Sequence, residues 1–418
     1  MWAVTFRDWQ CRKHGDIGRD ETMASLFPSN FRAVTAAAAT AMLATLIAVP
    51  GTARDTVIDP EPATEVDAPI AYLVDLTSGQ VLFAREADRR FVPASITKAM
   101  TAFLAFEKLQ AGEIDPRQVY TVSEDTFRKW RRKGSTMFLN RGDRVSVDQL
   151  LLGVTTISAN DASVVLGEGA SGSLDKWLEE MNAKAREIGM RDSHFGSPNG
   201  FPDEGHTFVT ARDLATLAEA MLRRHPGKYQ RYIGNSEFSY ADITQPNHDP
   251  LLGRVRGADG IKTGFTYQAG FGFLGSAERE GRRLVTVVAG SDSGRERNRA
   301  AIALMEWGFD AFDGYTLFSK GDIVGRAEVQ NGSWPSVDLV APHLIAATLP
   351  ARSQPKIELA IRYKGPVRAP IAAGEEIARL HIKVDGMDES SVPLVAAEDI
   401  EEAHFAQRIG NGIWRWLT

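Results

Sequence analysis

Apolar residues recur along this chain with two different periods, and the change falls near Gly314. Before it, two short apolar runs at 71–75 and 81–85 flank the turn residues Thr77-Ser-Gly-Gln80 and predict a pair of strands. A second pair is predicted at 270–278 and 283–290, with its turn at Arg279-Glu-Gly-Arg282, and a helix over 296–312 comes next. Between these ends, Met100, Phe103, Leu104 and Leu109 mark an apolar helix headed by Ser95, and the stretch 122–224 is mainly helical with loops. Strands at both ends and helices between them predict an α+β domain, an antiparallel sheet with helices on its faces. Beyond Gly314 the stretches 323–329, 336–340, 357–363 and 377–384 alternate apolar and polar residues. That period predicts a small β domain of sandwich type.

The two ends of the chain follow neither pattern. Residues 1–21 are polar and unlike the rest, and Met23 offers a second start. Arg32 then leads into an Ala-, Leu- and Ile-rich run over 33–49, and Gly51-Thr-Ala53 places small residues at −3 and −1 before Arg54. This is the order of an export signal, so the folded part is expected outside the cytoplasm. Residues 54–67 read as a Pro-, Thr- and acid-rich linker. At the other end, a helix over 403–417 would put Phe405, Ile409, Ile413, Trp414, Trp416 and Leu417 on one half of its wheel. Arg408, Asn411 and Arg415 would fall on the other half. Such a helix is too short to span a bilayer but suits its interface. The expected organisation is an N-terminal extension with signal (1–53), a linker (54–67), a helix-and-sheet domain (68–313), a β domain (314–397) and an amphipathic membrane-anchor helix (398–418).

Composition narrows the possible chemistry. The chain has 418 residues, 43% of them hydrophobic, so a proper core can be buried. A net charge of −6 does not suggest nucleic acid. Cys11 is the only cysteine, which excludes a disulfide or thiolate metal cluster within one chain. The stretch Phe127-Arg-Lys-Trp-Arg-Arg-Lys133 is strongly basic and reads as a solvated helix face.

Three short motifs carry candidate chemistry: Ser95-Ile-Thr-Lys98, Ser158-Ala-Asn160 and Lys262-Thr-Gly264. Each is weak alone, since Ser173-Leu-Asp-Lys176 and Ser197-Pro-Asn199 fit the first two patterns as well. Context separates them. Ser173 precedes an amphipathic helical run and reads as its N-cap, and Ser197 lies in Gly196-Ser-Pro-Asn-Gly200, which is turn chemistry. Ser95 and Lys98 lie three apart on an apolar helix, within hydrogen-bonding reach. A lysine held there loses hydration, which favours the neutral amine that can take a serine proton.

At these motifs the chain resembles the penicillin-recognising serine enzymes, and within them the low-molecular-mass penicillin-binding proteins that act as D-alanyl-D-alanine carboxypeptidases. Matching text includes Ala71-Tyr-Leu-Val-Asp-Leu-Thr-Ser-Gly-Gln80, Gly134-Ser-Thr-Met-Phe-Leu139, Thr210-Ala-Arg-Asp213 and Asp259-Gly-Ile-Lys-Thr-Gly-Phe-Thr266. The resemblance implies a penicillin-binding-protein-like catalytic fold, no cofactor, and removal of the terminal D-alanine from peptidoglycan pentapeptides through an ester on Ser95. It implies Lys98 as base and Ser158 as proton relay, with Asn160 on the substrate amide. Lys262 supplies positive potential, Thr263 binds the terminal carboxylate, and Gly264 allows close approach of the substrate. The N–H groups of Ser95 and Phe265 form the oxyanion hole. β-Lactams are implied inhibitors, and the periplasmic face of the cytoplasmic membrane is the implied location. Relatives often carry an arginine where Gln245-Pro-Asn-His-Asp249 stands, and the aligned residue, His248, is expected to supply its positive charge. The alternatives are a D,D-endopeptidase of the same family, a class A-like β-lactamase, for which no convincing glutamate motif lies between Asn160 and Lys262, and a non-catalytic scaffold of wall synthesis.

Overall fold

The computed structural model describes residues 66–353 and 355–403, together with the backbone pairing of two short N-terminal strands. The export-signal run, most of the predicted linker and residues 404–418 of the predicted amphipathic helix lie outside the described residues.

Five strands form the central sheet: β1 (Ile70–Asp75), β2 (Gln80–Arg85), β3 (Ala258–Thr266), β4 (Gly270–Arg279) and β5 (Arg282–Ser291). Their order is β2-β1-β5-β4-β3, antiparallel throughout. Successive residues of β1 point to opposite faces, and both faces are covered, so all six are buried. Leu73 and Leu284 pack with Leu304 and Met305 of the helix Gly294–Asp310 on one side. Tyr72, Val285 and Val287 join the larger core with Met100 and Phe103 on the other. The second hairpin turns more tightly than predicted. Arg279 and Arg282 pair with each other, and only Glu280 (φ 53°) and Gly281 (φ 79°) make the turn. Two consecutive positive φ values match the right-handed twist of the strands.

The helices in chain order are α1 (Lys98–Ala111), α2 (Glu124–Trp130), α3 (Val147–Thr155), α4 (Asn160–Ser171), α5 (Leu174–Glu187), α6 (Ala211–Arg224), α7 (Pro226–Tyr232) and α8 (Gly294–Asp310). α8 opens on a reciprocal capping box between Ser293 and Glu296. It stops short of Phe312, the predicted end. Phe312 instead begins a strand and sets its ring edge-on to Trp307 at 5.1 Å.

Beyond the first domain run β6 (Phe312–Phe318), β7 (Ile323–Gln330), β8 (Ser336–Val340), β9 (Ile345–Pro350), β10 (Ile357–Tyr363), β11 (Glu376–Val384) and β12 (Ser390–Ala396). β10, β11, β12, β8 and β7 share one sheet and β6 pairs with β9 in another. Leu317, Ile345 and Leu349 of the smaller sheet pack with Leu359, Leu380 and Leu394 of the larger, which is the predicted sandwich. The pattern did not reveal β6, β9 or β12. All six residues of β9 are buried, so it has no alternation to read. In β12, Pro393 and paired serines mask the period.

Two boundaries move. Val66 and Ala68 are buried, and their carbonyls accept from Arg85 Nη1, so the packed domain begins inside the predicted linker. Trp2–Phe6 is apolar at every position but Thr5, unlike the polar stretch expected there, and it adds to the edge of β10.

A buried polar joint connects the domains. The Asp75 carboxylate accepts from Arg282 Nε at 2.6 Å, from Thr348 Oγ1 at 2.8 Å and from the Thr77 N–H at 2.9 Å. Arg282 also donates to the carbonyls of Phe312 and Gly308. Gln80 exchanges two hydrogen bonds with the Thr348 backbone. Each buried polar group in this joint therefore has a partner.

Candidate active site

Ser95 lies in a single 3-10 turn, Ala94–Thr97, that runs straight into α1. The turn is forced into place. Ala94 has a φ of 48°, unusual for a residue with a side chain. Two glycines make room for it. A Cβ on Gly200 would stand 1.8 Å from the Ala94 carbonyl oxygen, and one on Gly264 would stand 2.4 Å from that of Pro93. The space left by the missing Gly264 side chain is filled by the nucleophile turn, a packing reason for glycine that the sequence reading did not give. The short turn and the edge strand can then lie backbone to backbone.

Lys98 is wholly buried, and its Nζ donates to Ser95 Oγ at 2.7 Å and to the Asn199 carbonyl at 2.8 Å. Burial first, then the positive charge of Lys262, pushes its pKa well below the usual lysine value. Asp161 opposes this weakly. The predicted pairing of Ser95 with a lysine that favours its neutral form is thus present. The two look-alike serines do what their context predicted. Ser173 Oγ accepts from the Lys176 N–H at the start of α5, and Ser197 Oγ accepts from the Gly200 N–H.

The second wall is the turn into α4. Ser158 takes a φ of 63°, and Asn160 begins the helix. Ala159 between them is fully buried and joins the core, so it faces away from the cleft. Asn160 Nδ2 donates to the Lys133 carbonyl at 2.8 Å, and its N–H donates to the Ser135 carbonyl. Asp161 accepts from the N–H groups of Met137 and Leu139, which ties the loop 134–139 to the head of α4. Burial raises the Asp161 pKa against these hydrogen bonds.

The third wall is β3, the last strand of its sheet, with no further strand on its outer edge among the described residues. An exposed edge can take an extended peptide as one more strand. Lys262 is buried on β3, and its Nζ donates to the Thr263 carbonyl at 3.0 Å. Burial pulls its pKa down to about 7, opposed by the Asp249 carboxylate and assisted by Arg297. Phe265 turns its ring outward, stacked on Phe271 with centroids 4.0 Å apart. Its backbone stays in register with that residue.

His248 sits beside this wall but does not carry the expected charge. Loss of hydration on its protein side, then the positive charges of Lys262 and Arg297, lower its pKa below the ordinary histidine value. This favours its neutral form and opposes the expected charge. The cation that sequence reasoning missed is Arg297 on α8. It is buried and donates to the Gly272 carbonyl, and burial lowers its pKa to about 10. Nothing in its local text, Gly294-Arg-Glu-Arg-Asn-Arg299, sets it apart from the arginines two residues either side. Asp249 was also missed. It faces both cations, and burial raises its carboxyl to about 6. Among the described residues no group of His, Cys, Asp and Glu side chains could hold a metal ion.

Ser95 with Lys98, Ser158 with Asn160, and Lys262 with Thr263 thus lie on separate elements that meet at one cleft, joined through Asn199, Lys133 and the Gly264 contact. Comparison with known proteins agrees with this architecture. Residues 56–293 match the family model described as D-alanyl-D-alanine carboxypeptidase, and residues 312–402 match the C-terminal domain of penicillin-binding protein 5. The chain is 32% identical over 352 residues to the D-alanyl-D-alanine carboxypeptidase DacC of Escherichia coli strain K12, covering 83% of this chain and 88% of that protein. It is 29% identical over 356 residues to DacF of Bacillus subtilis, covering 84% and 90%. Penicillin-binding protein 5 from Haemophilus influenzae superposes with a TM-score of 0.67 at 31% identity, covering 82% of this chain and 99% of that one. With a cleft of this build and a family match across most of its length, the chain belongs to the D-alanyl-D-alanine carboxypeptidase family of penicillin-binding proteins.

Proposed function

We propose that this enzyme removes the terminal D-alanine from peptidoglycan stem pentapeptides through an acyl-enzyme on Ser95. The observation that carries the reading is the 2.7 Å hydrogen bond from a wholly buried Lys98 to Ser95 Oγ. In the productive state Lys98 is neutral and takes the hydroxyl proton as Ser95 Oγ attacks the carbonyl of the penultimate D-alanine. The N–H groups of Ser95 and Phe265 stabilise the oxyanion. Ser158 passes a proton to the departing amine, and free D-alanine leaves. Water then cleaves the ester and restores the serine. Asn160 holds the amide on the acyl side. Lys262, Thr263 and Arg297 receive the terminal carboxylate, and His248 beside them supplies no charge.

A β-lactam presents a strained amide and its own carboxylate to the same groups. The Listeria monocytogenes penicillin-binding protein D2, solved with ampicillin, matches this chain at a TM-score of 0.53 and 29% identity. That supports acylation of Ser95 by penicillins here. We further propose that the protein is exported and rests on the periplasmic face of the cytoplasmic membrane through residues 404–418. No helix among the described residues is long and apolar enough to cross a membrane. Cleavage after Ala53 would remove Trp2–Phe6 and leave β10 as the edge of its sheet. A deletion that tests the anchor should start at His404, since Ala403 is buried and donates to the Asn331 carbonyl. Membrane association that survives this deletion would point to the N-terminal segment.

The deciding experiment is a product assay on purified wall peptides. Release of free D-alanine from the pentapeptide is the expected result. Splitting of cross-linked dimers without that release would make the enzyme an endopeptidase.

A further inference from the structure

Only the first half of the basic stretch 127–133 is a solvated helix face, with Arg128 and Lys129 exposed on α2. α2 ends at Trp130, and the chain breaks out of the helix at Arg131 and turns through Arg132 at a φ of 62°. From there the chain forms the rim of the cleft. The Lys133 carbonyl accepts from Asn160 Nδ2 at 2.8 Å, so this residue directly holds a wall of the site. A second anchor lies opposite. The Trp130 ring meets Phe201 edge-on at 5.4 Å, and Phe201 donates its N–H to the side chain of Asn199, whose carbonyl binds Lys98. Lys133 Nζ stands over both rings, 6.0 Å from Trp130 and 5.7 Å from Phe201. Backbone and rings are therefore fixed, Arg131 lies over the Phe127 ring at 5.4 Å, and the four charged side chains stay exposed.

Those charges are largely unbalanced. Arg128 pairs with Asp125. Among the described residues, Lys129, Arg131, Arg132 and Lys133 have no carboxylate within ion-pair distance, and all four are exposed. Four unpaired cations in five residues are unusual on a chain whose net charge is −6. Mutual repulsion makes such a cluster costly unless an anion meets it. The rim also lies on one particular side. In the proposed reaction, the terminal carboxylate of the substrate goes toward Lys262 and Arg297. Since Asn160 Nδ2 is bonded to the Lys133 carbonyl, an upstream peptide that passes Asn160 leaves the cleft beside this rim.

Resting on that reading, we propose that Lys129, Arg131, Arg132 and Lys133 form a subsite for carboxylates carried by the acyl-side peptide of the substrate. The enzyme then selects stems that are acidic upstream of D-alanyl-D-alanine over stems whose upstream carboxylates are amidated. Recognition is electrostatic, acts through KM and weakens with salt.

The test uses two synthetic pentapeptides with the same D-alanyl-D-alanine end, one with free upstream carboxylates and one with those carboxylates amidated. Two readouts are taken: D-alanine release, and protection of Ser95 from acylation by a fluorescent penicillin. Wild type should favour the acidic peptide by about 10-fold in kcat/KM, the scale expected of a few solvent-exposed ion pairs. The preference should fade between about 0.03 and about 0.3 M salt. The triple variant K129Q/R131Q/R132Q should lose the preference and leave both the amidated peptide and penicillin acylation within about 2-fold of wild type. If neither peptide releases D-alanine but the acidic one still protects Ser95 better, and the variant erases that difference, the proposed reaction falls and the subsite stands. Equal treatment of the two peptides by wild type overturns the subsite. So does an equal loss on both peptides in the variant, which would mean general damage to the rim. If the triple variant keeps the peptide preference but no longer sediments with anionic vesicles, the cations serve a membrane surface and the proposal is wrong.

Discussion

The two halves of this molecule keep the ordinary rules of folding to very different degrees. In the β domain, strands such as β10 bury every second residue, and Leu359, Ile361, Leu380 and Ile382 are apolar and covered. Around the cleft the rules are broken in one place after another. Two lysines and an arginine are buried, Ala94 and Ser158 sit at positive φ, and Asp249 has a carboxylate oxygen with no hydrogen-bond partner. Each departure costs stability, and each changes the reactivity or position of a group at the site. The β domain spends its residues on packing, whereas the cleft sets packing aside for unusual protonation states and a tightly constrained backbone.

The comparison breaks most decisively at Ser95. Ser95→Ala should abolish the covalent penicillin adduct on the intact protein, as seen by mass spectrometry, without changing the far-ultraviolet spectrum. An adduct on Ser173 or Ser158 would move the reactive centre elsewhere. Next in size is Lys98. Lys98→Met keeps the volume and removes the base, so acylation should slow by roughly 10²–10⁴-fold. The same change should raise stability. Burial lowers the folded-state pKa of Lys98 below its unfolded value, so folding a charged lysine there is unfavourable at low pH. That cost shrinks as pH rises toward about 10.4, the unfolded value. The gain in urea midpoint from Lys98→Met should therefore be larger at acidic than at alkaline pH. Acylation at the wild-type rate would reduce Lys98 to a tolerated core residue.

On the other side of the comparison, Leu380→Ala should cost about 2–5 kcal/mol in unfolding free energy, the range for opening a cavity in a packed core. Acylation by the folded fraction should stay within about 2-fold. A large rate change there would mean that packing in the β domain tunes the cleft. The smallest expected effect is the pH limb of Lys262. Its pKa is about 7, so catalytic efficiency on a carboxylate-ended peptide should fall as pH rises through that value and the ammonium loses its proton. Lys262→Arg keeps its charge over that range and should flatten the limb, at a cost of about 2–5-fold at pH 6 because a guanidinium fits the pocket differently. A limb unchanged in the variant would place the titrating group on another residue, with Asp249 next in line at about 6.

The same contrast decides how much could be read from the sequence. β7, β8, β10 and β11 were legible because one face of each meets the core and the other meets solvent or the domain edge. β9 was not, since both of its faces are covered and a continuous apolar run carries no period. At the cleft, Ser95, Lys98, Ser158, Asn160 and Lys262 were legible through short motifs whose spacing is local. Arg297 and Asp249 act from distant segments, and only the fold brings them beside Lys262. His248 does lie near Lys262, but its surroundings oppose the charge expected of it. Its pKa is lowered first by burial and then by two cations, one of them 49 residues further along the chain, and none of these is visible in local text. The turn Arg279–Arg282 was read one residue wider at each end because charged residues at the end of an apolar run look like turn, yet both arginines pair across the hairpin.

Asp75 makes the join between the two domains a weld and not a hinge. Its carboxylate is wholly buried and bound from both sides, by Arg282 of the first domain and Thr348 of the second. Bending there would strip a buried carboxylate of its hydrogen-bond partners, which is costly. A swing of the β domain about this joint has to break those bonds first, so the joint opposes any change in the distance between the cleft and the far end of the β domain.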